Sequence, residues 1–204
     1  MPPLPTFANT PAPAEPRAAR PLSPSRMDGD APAARSPVGD DGARARGRII
    51  HTLLEHLPTL APERRSEAAA RLIAKHAPDF GADAAGSMAR AICDLIAAPA
   101  FAPLFGENSL AEVPIVGRIG DAVIAGQVDR LVVTPDRVLI VDYKSGEPPK
   151  RNAETPRAYV RQLAAYRAVL ASIYPERPIS CAILWTTTPA LIEIAPADLD
   201  FLTP

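Results

Sequence analysis

Cysteine is scarce in this 204-residue chain, with two in all. Cys93 and Cys181 stand singly in apolar surroundings, with no C-x-x-C spacing that could hold zinc or an iron-sulfur cluster. Both read as buried, reduced thiols. Charge of one sign is also lacking: the net charge is −1, which argues against nucleic-acid binding by bulk charge alone. No run of apolar residues is long enough for a membrane span, and no apolar h-region follows a basic start, so neither a membrane anchor nor a secretory signal is expected. A cytoplasmic location follows by default. There is no G-x-x-x-x-G-K-[ST] phosphate loop, which excludes ATP-driven work by this chain.

Proline, by contrast, is abundant and unevenly placed. Ten of the 25 prolines fall in the first 37 residues, among Ala, Arg, Ser and Asp, with few large apolar side chains. Such a stretch cannot bury enough surface to offset its ordering entropy. Residues 1–45 therefore read as a disordered tail or linker, and residues 46–204 as one domain.

From Gly47 an apolar stripe of Ile49, Ile50, Leu53, Leu54 and Leu57 predicts a helix that Pro58 stops. Ala-rich helices are expected over about 63–76 and 83–97. Strand signals follow in EVPIVGRIG, AVIAGQVDRLVV and RVLIVDYK. An amphipathic helix over about 155–174 carries the stripe Tyr159, Leu163, Tyr166, Leu170 and Ile173, and the strands ISCAILWTT and ALIEI come last. The order predicts an α/β core with mixed strand directions and helices added near its start.

The segment GQVDRLVVTPDRVLIVDYKSG places an aspartate in each of two apolar strands. With Thr134 to Arg137 as the turn, Thr134 faces Arg137, and the same register sets Asp129 opposite Asp142. Lys144, two residues on, shares the face of Asp142. Asp142 and Lys144 alone would suit a solvated hairpin. The opposed Asp129 and the apolar run before Asp142 make that reading poor, because facing carboxylates repel unless a cation lies between them. On that argument neutralising Asp142 should not destabilise the metal-free protein. Oxygen ligands of this kind suit a hard divalent ion such as Mg2+, and Asp, Asp and Lys around it suit phosphodiester hydrolysis. A local excess of four positive charges between Lys144 and Arg167 could meet phosphates.

Taken together, GQVDRL, VLIVDYKSG, YVRQLAAY and GRIIHTLLEHL resemble the successive motifs of the PD-(D/E)XK nuclease domain of the RecB type, of the kind at the C-terminus of the AddA helicase-nuclease. The resemblance covers residues 47 to about 194. It implies a restriction-endonuclease-like core and a Mg2+-dependent deoxyribonuclease of the exonuclease type, with Mn2+ as a substitute, acting in double-strand break processing and recombinational DNA repair. By motif, Asp129, Asp142 and Lys144 are the catalytic set. His51, Asp129, Asp142 and the carbonyl of Tyr143 bind metal, and Gln162 and Tyr166 support the site. The implied partners are DNA ends, as single strands released by unwinding, and a helicase or second nuclease subunit. The rival readings are a non-catalytic DNA- or partner-binding module on the same fold, and a stand-alone phage or restriction-type nuclease.

Among the remaining residues, Glu55 shares a helix face with His51 and would orient it or pair nearby. His56 and His76 read as surface residues, and Tyr159, Cys181 and Trp185 as core. Arg157 and Arg161 stack on one side of their helix, where they could meet phosphates. Glu112 is a candidate to complete the metal site from the neighbouring strand.

Overall fold

The computed structural model describes residues 21–24, 40–150 and 154–200. Helix α1 (Asp40–His56) ends in a 3-10 turn at Leu57–Thr59, where Pro58 has no amide to extend the ladder. Proline is used again at the start of α2 (Pro62–His76), where a missing amide hydrogen costs nothing. Helix α3 (Ala82–Ala97) follows. The remaining elements are β1 (Ser109–Ile119), β2 (Ala122–Val133), β3 (Val138–Lys144), α4 (Arg157–Ile173), β4 (Ile179–Trp185), β5 (Ala190–Ile194) and the short α5 (Pro196–Leu199).

The strands form one five-stranded sheet in the order β1-β2-β3-β4-β5. All neighbours are antiparallel except β3 and β4, which are parallel and joined through α4. A parallel pair needs such a crossover, and α4 supplies it while covering one face of the sheet. Helices α1 to α3 cover the other, with Leu53, Leu54, Leu57, Ile73 and Ile92 packed against Val132, Leu139, Val141 and Leu184. On the α4 side Leu163, Tyr166, Val169 and Leu170 meet Ile124, Val128, Leu131, Ile140 and Ile183. Each such side chain contributes about 1.5–3 kcal/mol on burial. The mixed sheet flanked by helices is the restriction-endonuclease-like α/β arrangement. One detail of the expected α4 stripe is corrected: Ile173 is exposed, and Val169 takes the core position instead.

The expected tail at 1–45 falls mostly outside the described residues. Within it, α1 begins at Asp40, and Leu22 forms a parallel bridge to Ile124, donating its amide to the Val123 carbonyl at 2.7 Å and accepting from Ala125 at 3.0 Å. Regular β3 pairing with β2 stops at Arg130, so Leu22 sits on the stretch of β2 beyond it.

The hairpin turn is closed by the Thr134 amide on the Arg137 carbonyl at 2.9 Å, with the Thr134 hydroxyl accepting from the Arg137 amide at 3.2 Å. Val133 faces Val138 and Arg130 faces Val141, the register the turn dictates. The irregularity lies at the other end of the hairpin. Val128 and Val132 are four residues apart and would share a face in a regular strand. Val128 nevertheless packs under α4 and Val132 under α1 to α3. β1 changes face at the same level, and there Glu112 adopts a left-handed φ of 49°, rare for a side chain of its kind. Pairing skips Glu112 and Asp129 but keeps one register on both sides, Ala111 with Arg130 and Val113 with Val128.

Candidate active site

The face change is what turns Asp129 toward α1. Its Oδ1 lies 3.5 Å from His51 Nδ1, and Glu112 Oε1 lies 3.8 Å from the same nitrogen. Asp129 Oδ2 accepts the Tyr143 amide at 2.7 Å, a side-chain bond in place of a ladder bond. One ligand atom from each of His51, Glu112 and Asp129 lies within 4.8 Å of the others. Burial pulls the His51 ring toward neutrality, but the Asp129 and Glu112 carboxylates beside it together outweigh that, and its pKa is pushed up to about 10. The proton between two carboxylates stands where a cation would be favoured.

The donor set fits a divalent cation on observations of its own. Glu112 Oε1 is buried without a hydrogen-bond partner, an expense that a cation would remove. The strained backbone of Glu112 brings that carboxylate to the cluster, and such strain gathers at functional sites. One imidazole nitrogen and two carboxylates can hold Mg2+ or Mn2+ with water filling the remaining positions.

Asp142 keeps the face its register in β3 gives it and lines the same cleft as Asp129, and it is Asp129 that the face change turns away from direct opposition. Asp142 lies on the α4 face, buried, with its Oδ2 2.7 Å from Lys144 Nζ, and it is not in the three-residue cluster. Burial raises its pKa, the Asp129 charge adds to that rise, and Lys144 opposes both. The lysine in turn is pulled down by burial and raised by the Asp142 charge, which prevails. Its ammonium lies 4.3 Å above the centre of the Tyr159 ring. Tyr159, expected in the core, therefore forms the floor beneath Lys144, and Trp185 braces it with ring centres 6.3 Å apart.

These groups, Trp185 apart, open into one cleft of about 550 Å³, which Ser23 and Pro24 also line. Gln162 and Tyr166 line its α4 wall, with Gln162 Nε2 3.4 Å from the Tyr166 hydroxyl. Tyr166 reaches the cleft only because residue 126 is glycine: a Cβ there would lie 2.7 Å from its ring. Tyr143 also lines the cleft, while its ring turns to the α1 side and its hydroxyl accepts from Arg130 Nε at 2.8 Å.

Other expected residues lie apart. Arg157 and Arg161 are exposed on α4 and do not line the cleft. Glu55 is 3.9 Å from His56 Nδ1, and so pairs with its neighbour rather than orienting His51. His56 and His76 are exposed, Trp185 and Cys181 are buried, and Cys93 is only half-buried. Gly126 and Arg130 carry no local sequence signal for the places they take here, and Glu112 carries only a weak one. For Glu112 the strand pattern adds none, since its odd-numbered neighbours alternate as in a regular strand.

Among the described residues no helix is long and apolar enough to cross a membrane. No curated protein matches the chain. Among solved structures, SSO0001 is similar at 16% identity over 76% of this chain and 81% of that one, with a TM-score of 0.32. Residues 30–199, the greater part of the chain, match the PD-(D/E)XK nuclease superfamily, whose members use divalent metals, and the chain belongs to that superfamily.

Proposed function

We propose that the protein is a divalent-metal-dependent deoxyribonuclease that hydrolyses phosphodiester bonds at DNA ends. The observation that carries this is the meeting in one cleft of a cation-fitting cluster, His51, Glu112 and Asp129, with a lysine held by Asp142 and Tyr159. A divalent cation bound there would supply Lewis acidity at the scissile phosphate and ease deprotonation of the attacking water. The protein's own groups do the rest. Lys144 presents a fixed positive charge to the phosphoryl oxygens as negative charge grows on them, and its anchors prevent it from spending that charge on solvent. Asp142 holds the lysine by charge, and the Tyr159 ring holds it by its electron-rich face. Gln162 and the Tyr166 hydroxyl offer donors and acceptors along the wall for the backbone of the strand. Tyr143 offers a further oxygen through its carbonyl.

The resemblance of the motifs to those of the RecB and AddA type supports a role in double-strand break processing, with Mg2+ as the working ion and Mn2+ as a substitute. These 204 residues hold no phosphate loop, so unwinding in that setting comes from a helicase, as a partner or as another part of a longer chain, and the substrate is the strand it releases. The nuclease domain then begins no later than α1, which starts at Asp40, and Leu22 adds a bridge to its sheet.

The test is incubation of the purified chain with end-labelled linear DNA, with Mg2+ or with chelator. Cleavage is expected only with metal. Lys144→Ala should lower it by about 10²-fold or more while leaving the fold intact. Equal cleavage by Lys144→Ala refutes its role, and metal-dependent DNA binding without any cleavage would favour a binding module.

A further inference from the structure

Directly behind the cluster lies a guanidinium that the chemistry above does not use. Arg130 is 3% exposed, and among the described residues no carboxylate pairs with it. Its charge is met instead by neutral groups. Nε donates to the Tyr143 hydroxyl at 2.8 Å, Nη1 to the Ser109 hydroxyl at 3.4 Å and Nη2 to the Leu54 carbonyl, and the carbon centre stands 5.2 Å from the centre of the Phe105 ring. A buried cation without a counter-ion is costly. A fold seeking only stability would fill the place with an apolar side chain.

What those contacts share is their distance along the chain from the site. Leu54 is one helical turn after His51 on α1, and Ser109 is three residues before Glu112 on β1. Arg130 itself follows Asp129, and Tyr143 follows Asp142. One planar fork thus holds all four segments that carry the site's imidazole and carboxylates. It does so at the level where both strands change face and where regular pairing between Glu112 and Asp129 is missing. At that level Gln127 Nε2 donates to the Glu112 carbonyl at 3.2 Å and Asp129 Oδ2 accepts the Tyr143 amide, and the guanidinium adds side-chain bonds that tie β1 and β3 to α1.

We propose that Arg130 is a positioning residue for the metal centre, setting the separation of His51, Glu112 and Asp129 and thereby its preference for small ions. This rests on the metal-centre reading above. The physical reason is that Mg2+ demands near-ideal octahedral geometry with short bonds, whereas Ca2+ accepts longer and irregular ones. A loosened cluster loses the small ion first. Lysine cannot replace the fork, because its single ammonium cannot reach three acceptors on three elements.

The experiment measures Kd for Mg2+ and for Ca2+ by calorimetry on the full chain, without DNA, in the parent, in Arg130→Lys and in Ile73→Val, a core change on α2 that lowers stability away from the cluster. Arg130→Lys is expected to weaken Mg2+ binding by about tenfold or more, in the range of losses from outer-shell partners, and Ca2+ binding by about threefold or less. Ile73→Val should leave both unchanged. Mg2+ affinity within about twofold of the parent, or equal weakening for the two ions, overturns the proposal. Should Arg130→Lys fail to fold, Tyr143→Phe deletes one acceptor and keeps the ring. It is expected to reduce the preference for Mg2+ over Ca2+, and an unchanged preference overturns the proposal. A folded parent that binds neither ion refutes the metal-centre reading and this inference with it, a result distinct from a parent that binds well and variants that bind equally well.

Discussion

Gly126→Ala tests whether the wall of the cleft is set by the absence of one methyl group. The added Cβ would lie 2.7 Å from Tyr166 Cε1 and 2.8 Å from its hydroxyl oxygen. Ordinary carbon contacts are about 3.5–4.0 Å, so the ring must retreat by about 1 Å. Two effects on stability oppose each other. Replacing glycine inside a strand gains about 0.5–1 kcal/mol, and overpacking costs about 1–3 kcal/mol. The net loss should be about 1 kcal/mol, read by urea unfolding. Activity should fall much further, because a displacement of about 1 Å at a positioned group can cost about 10²-fold.

Gly117→Ala serves as the control. Its Cβ would lie 2.6 Å from Val169 Cγ1, further along α4 and outside the cleft, so it should cost similar stability with far less activity. In a Tyr166→Leu background the atoms struck by the new Cβ are gone. The stability cost of Gly126→Ala should then vanish, giving a coupling energy of about 1–2 kcal/mol in a double-mutant cycle. Full activity in Gly126→Ala, or additive costs, would refute the reasoning.

Two further outcomes follow from the charges. Asp142→Asn leaves the Lys144 ammonium mostly buried without its counter-ion, and should destabilise the metal-free protein by about 3 kcal/mol, the reverse of what simple repulsion between Asp129 and Asp142 would give. Unfolding curves in chelator decide between them. For His51 the folded pKa of about 10 stands above its ordinary 6.5. Its stabilising contribution is therefore fully present below pH 6.5 and is lost as pH rises through 10. Metal binding runs the other way, because the proton must leave the ligand nitrogen. Mg2+ affinity should tighten by up to about tenfold per pH unit across neutral and mildly alkaline pH, and His51→Ala should flatten that slope.

Much of the fold was legible because each element carries its own punctuation. Pro58 and Pro62 bracket the α1–α2 junction, and the two-residue turn at Pro135 and Asp136 sets the β2–β3 register. Periodicity can do this because it reports neighbours along the chain. It failed where a side chain's direction depends on a local break. In β2 the apolar positions on the α4 face pass from even (Ile124, Val128) to odd (Leu131, Val133), but residues 131–133 are apolar throughout, which masks the trace of the face change in the sequence. In β3 the continuous run Val138–Val141 is buried on both sides and hides any such trace. The left-handed Glu112 left no mark, and neither did the cation–π seat of Lys144, since Tyr159 sits on an apolar stripe like any core tyrosine. Arg130 escaped notice because burial of an arginine is a tertiary event with no local pattern.

The parallel pairing of β3 with β4 through α4 bears on when the chain becomes competent during its synthesis. The cleft takes residues from Ser23 and Pro24 ahead of α1 to Tyr166 on α4, so no contiguous fragment that lacks either end contains it whole. The β1–β2 and β2–β3 hairpins are local and assemble early, whereas seating α4 requires the slower closure of a crossover. Lys144 gains its Tyr159 seat only at that last step. An incomplete chain emerging from the ribosome thus lacks the whole site, which is assembled together with the finished fold.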